Sequence, residues 1–195
     1  MKLGRIAFGT SFLILILATF AFVATSRAGY ETARYEVLEK DGDFELRRYE
    51  EHVVAATPMK EGAQNGSFGR LFQYISGGNQ GERKIEMTTP VFMPAGEGGE
   101  PGEMQFVVPL SVVKAGVPLP ADPSVTLKTM DAGRYASIRY SGVAAAQDRK
   151  TRVEELRKKI AALGLEAVGD PIHAGYDPPW TPGPMRRNEV LIRVK

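Results

Sequence analysis

Few side chains in this 195-residue sequence have the chemistry for acid–base or nucleophilic catalysis. There are two histidines, His52 inside a strand-like run and His173 shortly before Tyr176, and there is no cysteine. Thiol nucleophiles, thiolate metal ligands and disulfides are therefore excluded. No serine stands in a G-x-S-x-G elbow, and neither H-x-x-x-H, H-E-x-x-H nor a carboxylate cluster with ligand spacing occurs. An enzyme reading would have to use Glu86, His173 or Tyr176 as acid or base, and these residues form no convergent set in the sequence. The run "GGNQG" (77–81) lacks the Gly-Lys-Ser/Thr ending of a phosphate loop and follows a helix instead of opening one, so it reads as a helix stop.

The residues suited to binding are more numerous. Residues 176–192 read "YDPPWTPGPMRRNEVLI", with prolines at 178, 179, 182 and 184 and the only tryptophan, Trp180. Proline fixes φ and removes a donor, so the segment is a stiff loop, and a stiff loop loses little entropy when a ligand packs on the ring it presents. A second aromatic group lies in "SFGRLFQYI" (67–75), where Phe68, Leu71, Phe72 and Ile75 fall at i, i+3, i+4 and i+7 and Ser67 is placed to cap. This short amphipathic helix with Arg70 at its side suits a large flat apolar ligand bearing carboxylate arms, and the proline loop would supply the opposite wall. Six methionines beyond residue 28 add adaptable apolar surface, most of it expected in the core.

The elements that must position these groups repeat. "YEVLEK" (35–40) and "FELRRYE" (44–50) flank Asp41-Gly42-Asp43, a hairpin signal, and "HVVAATPM" (52–59) continues as strand. After the first helix, "KIEMTTPVFM" (84–93) and "EMQFVVP" (103–109) read as strands around a glycine-rich loop, and residues 110–124 as a proline-marked connector. The same order then recurs, with strands at 125–130 and 134–141 and a longer helix at about 144–163 striped by Val153, Leu156, Ile160 and Leu163. Strands near 166–175 and 188–194 complete the set. The expected fold is α+β: two halves of strand, strand, helix, strand, strand, giving about eight strands in a closed or nearly closed antiparallel sheet with two helices outside.

Residues 1–28 stand apart as a signal peptide or signal anchor, with Lys2 and Arg5 ahead of an uncharged run from Ile6 to Ala24 and "SRA" (26–28) offering a cleavage site. This places residues 29–195 in the cell envelope, exported or periplasmic, with the membrane engaged only through 6–24 if the leader is retained. Three of the 25 basic residues and none of the 23 acidic ones lie in the leader, so the remaining domain is near neutral at about −1. That balance leaves no electrostatic footprint for nucleic acid.

Three stretches together, "YEVLEKDGDFELRRYEEHVVAAT" (35–57), "FGRLFQYISGGNQGERKIEMTTPV" (68–91) and "HAGYDPPWTPGPMRRNEVLIRVK" (173–195), resemble the SOUL haem-binding protein family. The resemblance implies a distorted barrel of two β-α-β repeats that binds haem or another porphyrin, non-catalytically, as carrier or buffer. The implied groove falls on Phe68, Arg70, Leu71, Phe72 and Ile75 of the helix and on Tyr176, Pro178, Pro179, Trp180 and Thr181 of the loop. Arg186, Arg187 and Asn188 would anchor that loop or reach propionates. Members thought to ligate iron through histidine carry it where this chain has Arg48, which leaves His52, on the same face by strand spacing, as the weak metal candidate. The competing readings are a sensing or interaction module taking another apolar molecule, and an enzyme acting on a tetrapyrrole or lipid.

Overall fold

The computed structural model of the chain describes residues 29–59, 64–96, 102–178 and 180–195. The leader reading therefore lies outside the described residues; among those described, no helix is long and apolar enough to cross a membrane. The elements run β1 (Glu31–Thr32), β2 (Tyr35–Asp41), β3 (Phe44–Tyr49), β4 (His52–Pro58), α1 (Gln64–Ile75), β5 (Thr88–Thr89), β6 (Val91–Pro94) and β7 (Glu103–Val107). They continue with α2 (Leu110–Lys114), β8 (Thr126–Met130), β9 (Gly133–Ser141), α3 (Ala146–Ala162), β10 (Ala167–Gly175) and β11 (Arg187–Val194).

Nine strands form one antiparallel sheet in the order β2-β3-β9-β11-β10-β6-β7-β4-β8. Leaving β2 aside, that order maps onto itself when β3, β4, β6 and β7 exchange with β8, β9, β10 and β11, about an axis between β6 and β10. The repeat expected from the sequence is thus written into the topology, one helix to each half. The halves also interlock, since β3 pairs with β9 and β4 with β8 instead of each staying in its own half.

The sheet is strongly curved. One core cluster draws on all nine strands, including Tyr49 of β3, Val54 of β4, Phe92 of β6, Met130 of β8, Tyr135 of β9 and Leu191 of β11, with Tyr35 of β2 packed against it. At about 4.8 Å per strand a flat nine-stranded sheet would be roughly 38 Å wide, too wide for its edges to share one cluster. Tyr49 sits at the centre of this barrel-like interior, with ring centroids 5.0 Å from Tyr35, 5.3 Å from Tyr135 and 6.3 Å from Phe92. The two edge strands, β2 and β8, do not pair with each other among the described residues.

Each helix covers its own part of the outer face. Leu156 and Ile160 of α3 are buried against Phe44, Ile138, Val190 and Ile192, whereas Leu163, expected on the same stripe, is 37% exposed beyond the helix end. Leu71, Tyr74 and Ile75 of α1 are buried against Ala55, Ile85, Met104 and Phe106. The helix begins at Gln64, so Ser67 does not cap it; the Ser67 hydroxyl donates to the Pro58 carbonyl at 3.1 Å and tethers α1 to β4. The glycines after α1 do stop it: Gly77 has φ +114, and the buried Asn79 amide donates to the carbonyls of Tyr74 and Arg83 at 2.8 Å.

Two further expectations are corrected. Residues 84–93 do not form one strand: Thr88–Thr89 pairs with β1, Val91–Pro94 with β10 and β7, and between them stands Pro90, which has no N–H to give a ladder. The connector 110–124 contains the short helix α2, which its prolines, all C-terminal to it, do not oppose.

Candidate functional site

A cleft of about 250 Å³ opens between α1 and the loop before β11. One wall is Phe68 and Phe72, successive turns of α1, with rings stacked at 6.0 Å and 14°. Phe68 is held from behind by the edge of Phe106 at 5.3 Å, while Phe72 is half exposed. The other wall is Tyr176, Pro178 and Trp180, the last 79% exposed. Met87, Thr89, Val91 and Gly175 line the space between, Val91 and Gly175 being register partners on β6 and β10, and Tyr30 and Asp177 complete the lining. The cleft therefore lies beside the junction of the two halves.

The loop wall is fixed by a buried ionic cluster. Glu189 is fully buried, and its carboxylate accepts from Arg47 at 2.6 and 3.0 Å, from Arg187 Nε at 2.9 Å and from the Tyr176 hydroxyl at 2.9 Å. Arg47 also donates to Glu45 at 2.8 Å, so two guanidiniums meet two carboxylates. Burial pushes the Glu189 carboxyl up, but the two arginines outweigh it and hold the group below the usual carboxylate range. Burial first, then Glu189, pushes the Tyr176 phenol well above its ordinary value, so it remains a donor. The Arg187 guanidinium lies 4.0 Å over the Tyr176 ring.

The Arg-Arg-Asn triplet closes the loop from its far end. The Arg187 N–H donates to Asp177 Oδ2 at 2.6 Å, Arg186 Nε to the Thr181 carbonyl at 2.7 Å, and the Asn188 amide to the Gly142 carbonyl at 2.9 Å. Arg186 and Arg187 thus tie down the loop, one of the two roles open to the triplet from sequence, while Asn188 ties the start of β11 to the end of β9.

Of the helix residues expected in the groove, Phe68 and Phe72 line it, whereas Leu71 and Ile75 point into the core with 0% and 6% exposure. An i, i+3, i+4, i+7 stripe marks an apolar face without saying where the core ends and an opening begins. Arg70 is not at the cleft: Nε donates to Thr57 Oγ1 at 2.8 Å and a terminal nitrogen to the Pro58 carbonyl at 2.6 Å, joining α1 to β4. Tyr176, Pro178 and Trp180 line the cleft, Thr181 is engaged through its carbonyl, and Pro179 lies outside the described residues.

Sequence reasoning missed Tyr30, Met87, Thr89, Val91, Gly175 and Asp177. Only the methionine content pointed toward one of them; Asp177 belongs to the proline loop itself, and Tyr30, Thr89, Val91 and Gly175 come from segments whose proximity to α1 is a tertiary fact.

Neither histidine lines this cleft. His52 lines a separate cavity of about 90 Å³ near Glu31, Arg34 and Val108. Its Nδ1 lies 2.6 Å from the Glu50 carbonyl, which can only accept, so Nδ1 carries the proton and Nε2 accepts the Arg34 N–H at 2.8 Å. Burial keeps this ring neutral by lowering its pKa, and both nitrogens are occupied. Arg48 is exposed and paired with Glu36, and the strand is interrupted at Glu50–Glu51, which puts His52 on the next strand, so the shared face expected of the two residues does not arise. His173, on β10, buries Nδ1 without a hydrogen-bond partner, and burial followed by Arg149 lowers its pKa to about 4. Of Glu86, His173 and Tyr176, Tyr176 alone borders the cleft. Among the described residues no cluster of three His, Cys, Asp or Glu could hold a metal ion.

Comparison with known proteins identifies the family. A family model described as SOUL heme-binding protein matches residues 30–193. Heme-binding protein 1 of Xenopus tropicalis is 31% identical over 165 residues, covering 78% of this chain and 84% of the relative. Heme-binding protein 1 of Bos taurus is 25% identical over 177 residues, covering 83% and 91%. Among solved structures, the EcmrR C-terminal domain superposes with a TM-score of 0.57 at 12% identity, covering 83% of this chain and 98% of that one. A hydrolase from Listeria innocua gives 0.54 at 10% identity, covering 81% and 94%. At such identities the structural likeness speaks for the fold alone.

Proposed function

The chain belongs to the SOUL haem-binding protein family, and from that premise and the cleft geometry we propose that it holds haem or a related tetrapyrrole between α1 and the proline-rich loop, as a carrier or buffer. Haem is here a bound ligand and not a catalytic group. The observation that carries the reading is the pair of aromatic walls, Phe68–Phe72 and Tyr176–Trp180, facing one apolar slot. Covering a macrocycle face with four or five such side chains yields several kcal/mol at about 25 cal/mol per Å², before ordering costs.

The lining also defines how the ligand is held. At about 250 Å³ the cleft is smaller than the roughly 300–1,000 Å³ of pockets that enclose a ligand, so the macrocycle is gripped by its faces with one edge in water. Among the described residues no Lys or Arg lines the slot, and the propionates belong at that wet edge. With no histidine in the lining, affinity rests on stacking and apolar contact; Met87 and Tyr30 are of a type able to meet iron, whereas the Tyr176 hydroxyl is taken by Glu189.

Titrating the purified protein with haemin and following the Soret band tests this. A saturable shift at micromolar protein is expected, and metal-free protoporphyrin should bind within the same order of magnitude. Absence of a saturable shift sinks the proposal.

A further inference from the structure

The loop that walls the cleft carries two of the three most exposed large apolar side chains among the described residues, and the third packs against it. Trp180 is 79% exposed, Val143 70% and Met185 63%, and Phe72 across the slot is 51% exposed. Trp180 and Met185 belong to the proline loop, and Val143 packs so closely on it that a Cβ at Gly183 would lie 2.8 Å from its methyl. Apolar groups concentrated on one rim, around an open slot, mark a surface that something covers.

The chain's own course says what lies nearby. Tyr30 lines the cleft, and the segment that follows it is pinned there by the β1–β5 pairing and by the Ala33 N–H donating to the Thr89 carbonyl at 2.8 Å. Upstream, the uncharged apolar run ends at Ala24. The residues between reach only about 18 Å at full extension. With that run in a bilayer, the mouth of the cleft is held within about 20 Å of the lipid surface.

We propose that this rim, Trp180, Met185, Val143 and Phe72, docks on a lipid bilayer beside the chain's own N-terminal apolar segment, so that the cleft opens into the interface and exchanges its flat ligand with the membrane. A tryptophan with its polar edge is suited to that boundary. The Asp177 carboxylate, also in the lining, is turned to the loop by the Arg187 N–H it accepts. The docking stands on the exposed rim and the point of chain entry; the exchange route rests on the tetrapyrrole reading above.

Trp180 is the only tryptophan and therefore its own reporter. The full-length chain is reconstituted, without ligand, in phosphatidylcholine vesicles with and without brominated acyl chains. Docking predicts blue-shifted emission, iodide quenching several-fold weaker than for free tryptophan, and strong quenching by the brominated lipid. Full iodide access with no effect of bromine overturns the proposal. So does protection from iodide without bromine quenching, which would mean that the N-terminal segment or a second copy covers the rim. The double variant Val143→Ser, Met185→Ser should lose most of the bromine quenching while keeping its thermal unfolding midpoint; unchanged quenching also counts against docking. Haemin preloaded into vesicles should transfer several-fold more slowly to this double variant than to the native chain, and equal rates overturn the exchange route. A failed haemin titration would instead remove the tetrapyrrole reading and leave the Trp180 result standing.

Discussion

The two halves of this molecule share one topology and treat their helices in opposite ways. In the second half, α3 has 17 residues, lays Leu156 and Ile160 flat on the sheet and turns charges outward, with Lys159 reaching across to Asp41 on β2. In the first half, α1 has 12 residues and seals the sheet with Leu71, Tyr74 and Ile75, but leaves the rings of Phe68 and Phe72 at its flank. The loop from the second half reaches back over that flank, braced by Glu189 and Arg187. Equivalent scaffolds thus differ in the opening they leave, through the few apolar side chains that one helix does not cover.

The comparison can be broken at its joint. Glu189→Ala removes the carboxylate that Arg47 on β3 and Arg187 on β11 share, leaving Arg187 buried without it and Arg47 with Glu45 alone. A loss of about 3–5 kcal/mol is expected, read from urea unfolding, with both halves melting together. Separate transitions for the halves would show that the cluster does not join them.

Next in size, Leu156→Ala should cost about 2–4 kcal/mol, since the site is fully enclosed, yet leave haemin affinity within a factor of two. A parallel fall in affinity would mean that the α3 half takes part in binding.

Acid should act on the junction. A histidine whose folded pKa lies below its unfolded value has its full stability above the unfolded pKa and loses it as pH falls toward the folded one. For His173, between an ordinary 6.5 and about 4, the window is pH 6.5 down to about 4. Allowing for solvent around a partly exposed ring, the loss is about 1–2 kcal/mol, and His173→Gln should flatten that part of the pH–stability curve. His52, lowered in the same direction, contributes to the remaining slope.

The smallest stability effect sharpens the contrast most. Phe72→Ala and Trp180→Ala should each change unfolding free energy by no more than about 0.5–1 kcal/mol, because both rings are more than half exposed. Each should weaken haemin binding by about 1–2 kcal/mol, roughly 5- to 30-fold by Soret titration. Unchanged affinity in both would detach the ligand from this cleft.

Much of the fold was legible because its signals are local. The turn Asp41-Gly42-Asp43 does join β2 and β3, with Gly42 at φ +60, and the stripe of α3 does bury Leu156 and Ile160. The site was legible in part. Four prolines marked a stiff loop, and Tyr176, Pro178 and Trp180 do border an opening, but Arg70, about half a turn from Phe72, and Ile75, nearly a full turn on, point elsewhere. Arg47 was invisible as a core residue: in "FELRRYE" it resembles its exposed neighbour Arg48, and its fully buried partner Glu189 lies 142 positions away.

The amino-acid sequence by itself determined the order of elements, the repeat, the stiffness of the loop and the absence of thiol chemistry, since each follows from periodicity, backbone restriction or residue type within a short stretch. Tertiary structure alone decided that β3 pairs with β9 and β4 with β8, that Tyr30 and Met87 meet the aromatic walls, and that the α1 flank stays open. Those outcomes depend on which distant surfaces compete to exclude water, and no local pattern encodes the result of that competition.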